Sequence, residues 1–544
     1  MSLPFSAAQA SGALKLLFCS VGVACLVGAP LHESVANESG ATGSLHGEPS
    51  RSLEPTVTFG SVEFAGNTLF SDRQLAKSID TELAAALTFA EVQSLARKVE
   101  AFYHVNGYDL ARVVVPEQAF RNGTTLKLVV LEGRLGVIEI RGNSHYSDQQ
   151  IMETLEAAGL ERSRAFSLDD VERGLAIINR RSGVAVSSTL RPGEVQGATD
   201  IVIDVEEKPR VAGSLEANNH GSENSGRYRL VPSLSVLNAT GHGDQLDILG
   251  MKSLGEGDAY FGYIGYEAPI NASGTKAHVY GFTGDVAIGQ EFQVLEIEGD
   301  SEGWGLGLSH DVPVSSRSII NVEAWLEGQN LEQTVLGVTT SDDQVRKVRL
   351  GASLDSADLH GRTLLALDLH QGIGERLGGM KDDALLSSRS YARADNDFTK
   401  LTFDLARLQR INSRWLVVPR LYGQYAFDSL VASEQWAIGG FNSVVGHPAS
   451  VFSGDSGYTA SIEGRYALLK DDDRYQLILS ADHGRVYVRQ PYIGQANDRD
   501  ISGAGLGLRA QPWESLELRV DGGVPIGNET GDGFYWYGQA SYRF

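Results

Sequence analysis

Cysteine is almost absent. The 544 residues hold two, Cys19 and Cys25, both near the start of the chain. Beyond them a disulfide framework and a zinc–thiolate site are excluded. Past residue 36 no stretch reaches the ~20 apolar residues that a membrane-spanning helix needs. Positive charge is also scarce: 46 Lys plus Arg stand against 69 Asp plus Glu, a formal net charge of -23. Nothing offsets phosphate repulsion, so nucleic acid is excluded as a partner. The 12 histidines show no metal-ligand spacing and the glycine pairs lack a P-loop lysine, so no metal or cofactor is expected.

What is present begins with export. Lys15 precedes an apolar run, Leu16 to Leu31, and Ser34-Val35-Ala36 offers small residues for signal peptidase. Residues 1–36 read as a secretory signal peptide. Residues 37–54, with Gly, Ser, Thr and Pro and no apolar period, read as a flexible segment.

An internal repeat follows. Val62-Glu63-Phe64-Ala65-Gly66-Asn67 and then Ser71-Asp72-Arg73-Gln74-Leu75 return 76 residues later as Ile138-Glu139-Ile140-Arg141-Gly142-Asn143 and Ser147-Asp148-Gln149-Gln150-Ile151. In each copy an alternating strand ends at a Gly-Asn turn, and Ser with Gln three residues on opens a helix as a capping box. A second helix is capped by Thr88 and Glu91 in one copy and by Ser167 and Asp170 in the other. Its apolar stripe is Val92, Leu95, Ala96, Val99, Phe102 and Tyr103, or Val171, Leu175 and Ile178. Two strands close each unit: Ala111 to Val115 and Leu126 to Leu131, then Val184 to Leu190 and Asp200 to Val205. The order β-α-α-β-β occurs twice, an α+β pair of domains.

From 209 onward alternation of period two takes over. Leu516, Leu518 and Val520 oppose Glu517, Arg519 and Asp521, and Leu365, Leu367 and Leu369 oppose Asp368 and His370. A Lys or Arg facing lipid near the midplane would cost ~2–4 kcal/mol, so the charged face must line a wet lumen. The chain ends the same way: Phe534, Trp536, Tyr542 and Phe544 share one face of a final strand. That face suits lipid, and it suits the signal by which a barrel-assembly machinery receives a strand. Sixteen runs start near 211, 228, 244, 259, 275, 303, 318, 345, 363, 397, 414, 457, 475, 500, 515 and 534. They predict a sixteen-stranded antiparallel transmembrane β-barrel over 209–544. An even count puts both its ends, and the two repeats, on the periplasmic side.

The repeat residues resemble the POTRA (polypeptide-transport-associated) domain, at 55–134 and 135–208. The longest connection, 428–456, carries Gly439-Gly440-Phe441-Asn442-Ser443-Val444-Val445-Gly446-His447. With two POTRA units, sixteen strands and a terminal Phe, the chain resembles the ShlB/FhaC/HecB family. These are the outer-membrane transporters of two-partner secretion, often called TpsB. The resemblance implies a pore that passes an unfolded partner, a large secreted exoprotein of adhesin or haemolysin type, from periplasm to cell surface. It implies no enzyme chemistry. It also implies that the sixth extracellular loop enters the barrel with a Val-Arg-Gly-aromatic motif, whose arginine pairs with an aspartate in a Phe-x-Asp-x-Gly strand motif.

Here the loop positions are Val444, Val445, Gly446 and His447, and the strand motif keeps Asp482 and Gly484 only. Without the arginine, Asp482 must be solvated or find another cation, Arg485 or Arg465. The loop is then expected to be held by Gly439, Gly440 and Gly446, more weakly than in the family, and the pore to be leakier. The family's plug helix has no counterpart, residues 37–54 being too short for one plus its linker. Arg112, Val113, Val114 and Val115 form the first POTRA edge, where backbone bonds can capture an extended client. Two other readings stay open: an outer-membrane protein assembly factor of the same superfamily, or a passive barrel pore. Gly454-Asp455-Ser456-Gly457 resembles a serine-protease nucleophile stretch, but no matching His context stands upstream.

Overall fold

Capping and turn chemistry build the two repeats identically in outline. The computed structural model describes residues 55–544 apart from 80–84, 256, 316, 382–383 and 528–532. The expected signal peptide and flexible segment lie outside the described residues. The first repeat runs β1 (Phe59–Ala65), α1 (Asp72–Lys77), α2 (Phe89–Val105), β2 (Arg112–Val114) and β3 (Thr124–Leu131). The second runs β4 (Arg134–Arg141), α3 (Asp148–Ala157), α4 (Leu168–Asn179), β5 (Val184–Pro192) and β6 (Ala198–Glu207). The sheet orders are β1-β3-β2 and β4-β6-β5, each with its first strand parallel and its second antiparallel to the central one.

Gly66 and Gly142 sit at φ +90° and +89°, and a Cβ at either would overlap a carbonyl oxygen, of Val130 or Val205. Only glycine fits there. Asn67 then donates to the Phe70 carbonyl (3.0 Å) and to Asp72 (2.8 Å). Asn143 makes the same pair to Tyr146 and Asp148, both at 2.7 Å. The boxes at Ser71/Gln74, Thr88/Glu91 and Ser167/Asp170 are formed. That at Ser147/Gln150 is half-formed: Ser147 accepts the Gln150 N–H, while Gln150 Oε1 is buried without a partner among the described residues.

The chain continues through β7 (Val211–Asn218), β8 (Tyr228–Leu237), β9 (Gln245–Leu254), β10 (Asp258–Pro269), β11 (Thr275–Ala287) and β12 (Ile297–Ser315). Next come β13 (Ser318–Val335), β14 (Val338–Ala357), β15 (Gly361–Gly372), β16 (Thr399–Arg410) and β17 (Trp415–Ala426). A small hairpin, β18 (Trp436–Ile438) with β19 (Phe452–Gly454), precedes β20 (Ser456–Leu469), β21 (Asp472–Tyr487), β22 (Asp498–Trp513), β23 (Leu516–Ile526) and β24 (Tyr535–Arg543). All but the hairpin form one closed barrel of sixteen strands. β24 closes on β7 antiparallel, and Phe544 exchanges both backbone hydrogen bonds with Gly213 at 3.0 Å.

Burial is inverted relative to a water-soluble fold. Leu350, Leu367, Leu369, Leu421, Leu506 and Val520 are exposed on the outside, while Arg349, His370 and Asp521 are buried inside. That is the alternation a bilayer and a polar lumen impose. Two strands start earlier than expected, at 297 and 338 rather than 303 and 345. Their added residues include Glu298, Asp300, Asp342 and Asp343, so the ladder runs past the bilayer into water, where no apolar face marks it. The second POTRA unit docks on the periplasmic turns. Ser182 Oγ donates to Gln245 (2.8 Å), Arg180 pairs with Asp311 (3.2 Å), and Lys276 Nζ donates to the Arg180 carbonyl (2.9 Å).

Candidate functional site

The connection from β17 to β20 is the sixth extracellular loop, and it turns inward. Its β18–β19 hairpin carries the tip into the lumen against β20 to β23. Gly439, Gly440 and Gly446 have φ of +107°, +91° and +81°, so the tip bends where only glycine bends easily. Val444 is buried with Trp436, Ile438, Val486 and Ile501. The floor under it is made of glycine. A Cβ on Gly484 would meet Val444 and Ile438, one on Gly503 the Val445 carbonyl, and one on Gly523 the Gly446 nitrogen. His447 Nε2 donates to the Ser502 carbonyl (2.9 Å), and the Tyr537 hydroxyl donates to the His447 carbonyl (3.2 Å). Of this floor the sequence reading names Gly484 alone. Gly503 and Gly523 lie in glycine-rich strands whose pattern carries no mark of a close approach.

Asp482 has neither expected cation. The Val445 N–H reaches its Oδ2 at 3.4 Å. Arg485 is paired with Asp498, and as an odd-numbered neighbour of Asp482 it projects from the opposite face of β21. Arg465 faces the lumen but pairs with Glu463, and it stands two pleats, ~13 Å, farther down the sheet. At the loop tip the cation that meets the loop is Arg519. It pairs with Glu463 (3.0 Å) and Asp521 (2.7 Å) and lies 4.8 Å over the Phe441 ring. His220 stacks on that ring at 4.1 Å. The wall thus supplies the arginine and the loop the aromatic partner, a cation–π contact. Asp455, of the protease-like stretch, is fully buried and paired with Arg389, and it also accepts the Leu430 and Arg489 N–H groups (2.8 Å each).

The first POTRA edge is shorter than expected. β2 is Arg112–Val114, so Ala111 and Val115 fall outside it. Ala111 closes a turn onto the Tyr108 carbonyl (3.0 Å), and Val115 leads directly into Pro116, which cannot donate to a ladder. Within the edge the Val113 N–H points away from β3 and donates to Glu100 at 3.1 Å. Glu100 also pairs with Arg112 at 2.6 Å. At the other end of the chain, Trp536, Tyr542 and Phe544 all lie exposed on the outer face.

Residues 197–510 match the model of the family described as haemolysin secretion/activation protein ShlB/FhaC/HecB, and residues 57–133 match that of the ShlB-type POTRA domain. The heme/hemopexin transporter protein HuxB of Haemophilus influenzae (strain 86-028NP) is 24% identical over 464 residues, 84% of this chain and 81% of that protein. The outer membrane transporter CdiB of Dickeya dadantii is 25% identical over 415 residues, 74% and 71% of the two chains. Among solved structures, CdiB from Escherichia coli is 20% identical, with TM-score 0.76 over 92% of this chain and 93% of its own. BamA from Haemophilus ducreyi lacking POTRA domains 1–3 has TM-score 0.51 at 14% identity, over 90% of this chain and all of its own.

Proposed function

Because the chain belongs to the ShlB/FhaC/HecB family of two-partner secretion transporters, we propose that it exports one large partner exoprotein, of adhesin or haemolysin type, through its own barrel. One observation carries this reading. The loop segment Val444–His447 is seated in the lumen on the Asp482–Gly484 stretch of β21, where it can gate a chain-wide path. No step makes or breaks a covalent bond. An extended client segment adds to β2 of the first POTRA unit, and its carbonyl takes the Val113 N–H from Glu100. Backbone bonding of this kind accepts many sequences, as an unfolded client requires.

The test co-expresses the chain with a large exoprotein encoded beside it that carries its own signal. Secretion should depend on the chain. Val113→Pro removes the outward donor and should lower secretion severalfold with the barrel folded, while Val113→Ile should not. If the exoprotein stays cell-bound and loss of the chain instead depletes other outer-membrane barrels, the assembly-factor reading replaces this one. Undiminished secretion by the folded proline variant removes β2 as the docking edge.

A further inference from the structure

We propose that the sixth loop of this chain is anchored by its own acid, Glu434, gripped by two wall lysines, Lys347 and Lys400. This is a lock of opposite polarity to a loop arginine held by a wall aspartate. It rests on the reading of the barrel as a gated translocation pore.

Glu434 stands at the base of the loop, two residues before β18. Its side chain is 2% exposed, and its two carboxylate oxygens are taken separately, by Lys347 on β14 at 2.7 Å and Lys400 on β16 at 2.6 Å. The backbone is held at the same point: Lys400 Nζ and Gln424 Nε2 on β17 both donate to the Glu434 carbonyl at 2.9 Å. Three wall strands therefore converge on one loop residue. Glu327 on β13 lies 3.9 Å from Lys347 and 3.5 Å from Arg349, so the lysines that hold Glu434 are part of a wider charged network on the wall. A buried ion pair holds little net stability against an apolar substitute, but breaking one member strands an uncompensated charge. Such a cluster fixes a position, because the loop can leave only by separating Glu434 from both lysines. Asp455 with Arg389, joining the far end of the loop to the connection between β15 and β16, repeats the polarity: the acid is on the sixth loop and the base outside it. At the position where the resemblance places the loop cation, by contrast, the side chain is Val445, and among the described residues Asp482 meets a backbone N–H at 3.4 Å and no paired cation.

The experiment measures the purified full chain in planar bilayers with no client present. A cysteine at Ser443, buried at the loop tip, reports loop position through its reaction with a hydrophilic thiol reagent. Glu434→Gln should raise resting conductance and tip labelling by more than about tenfold, as loss of a buried pair implies. Lys400→Met should do the same, and the double variant should be no worse than the worse single. Lys347→Met, which leaves the Lys400 pair, should be intermediate, and it carries the test if Glu434→Gln does not insert. Asp482→Asn, which weakens a single backbone contact at 3.4 Å, should change both readouts far less. Unchanged conductance and labelling in Glu434→Gln and Lys400→Met overturn the proposal, as does an Asp482→Asn effect equal to theirs. The measurement is separable from the transport reading: a pore opened by Glu434→Gln in a chain that secretes nothing keeps the lock and loses the transporter.

Discussion

Glu207 and Glu132 show how a single carboxylate sets a whole POTRA turn. Glu207 accepts the N–H groups of Ser144 (2.7 Å), His145 (2.7 Å) and Tyr146 (3.0 Å). In the first repeat Glu132 accepts those of Thr68 (2.6 Å) and Leu69 (2.9 Å) and the Tyr103 hydroxyl (3.0 Å). Partial burial would raise the Glu207 carboxyl, but the three N–H donors outweigh it and hold it down at about 2, against an ordinary 4.5. A folded value below the unfolded one stabilises fully above the unfolded value, and the effect is lost as pH falls toward the folded one. Hydrogen exchange in the full chain, corrected for intrinsic rates, should therefore show the 144–146 amides protected at neutral pH and released between about pH 4.5 and pH 2. Glu207→Gln should cost about 1–3 kcal/mol at neutral pH and little below pH 2. Equal protection of the variant at neutral pH would show that the carboxylate does not hold the turn. The aligned Gly-Asn pairs are visible in the sequence. The two glutamates are not, since each lies 61–64 residues from the turn it caps, and only the sheet brings them together.

Elements with a strong period were legible; elements defined by close approach were not. The sixteen strands and the two β-α-α-β-β units are written in alternation, caps and turns, and their starts deviate mainly where β12 and β14 rise out of the bilayer. The β18–β19 hairpin is only three residues a side, too short for periodicity to register. Its partners, the glycines of β21 to β23, carry no side-chain signal at all. The lost arginine was legible at Val445, but what replaces it was not, because Phe441, Arg519 and His220 converge only after the barrel closes. The glycine floor makes a prediction of its own. Gly503→Val would place side-chain atoms where the Val445 carbonyl now rests, and Gly523→Val would do so against Gly446. Either should lift the loop tip and raise resting conductance in planar bilayers, with strand pairing intact by heat-modified gel mobility. Gly505→Ala, whose Cβ would press chiefly on the movable Ser480 hydroxyl, should have much less effect. Indifference of conductance to Gly503→Val would mean that the tip does not bear on this floor.

At the scale of the whole molecule, the second POTRA unit meets the barrel through polar, apolar and backbone contacts at the periplasmic turns. Arg180, just past α4, reaches Asp311 at the periplasmic end of β12, and Asn321 of β13 donates to the same carboxylate at 2.9 Å. The Asp311 side chain is 3% exposed, so losing either partner would leave a buried polar group short of hydrogen bonds. Lys276 ties the Arg180 carbonyl to Glu267 of β10 at 3.0 Å. The first POTRA unit has its own apolar core, separate from that of the second. On the proposed route, a client captured at β2 is aligned with the pore across this junction. Arg180→Ala with Lys276→Met should leave the barrel, the loop and resting conductance unchanged, because neither residue approaches the sixth loop. It should free the second POTRA unit, seen as faster proteolysis at Lys208 and Arg210 between β6 and β7. Secretion of the partner should fall severalfold through lost alignment of the captured segment with the lumen. If proteolysis rises and secretion holds, a fixed POTRA orientation is unnecessary and the client crosses that gap by diffusion. If proteolysis does not change, the apolar and backbone contacts at the periplasmic turns suffice to hold the unit, and the ion pairs set only its register.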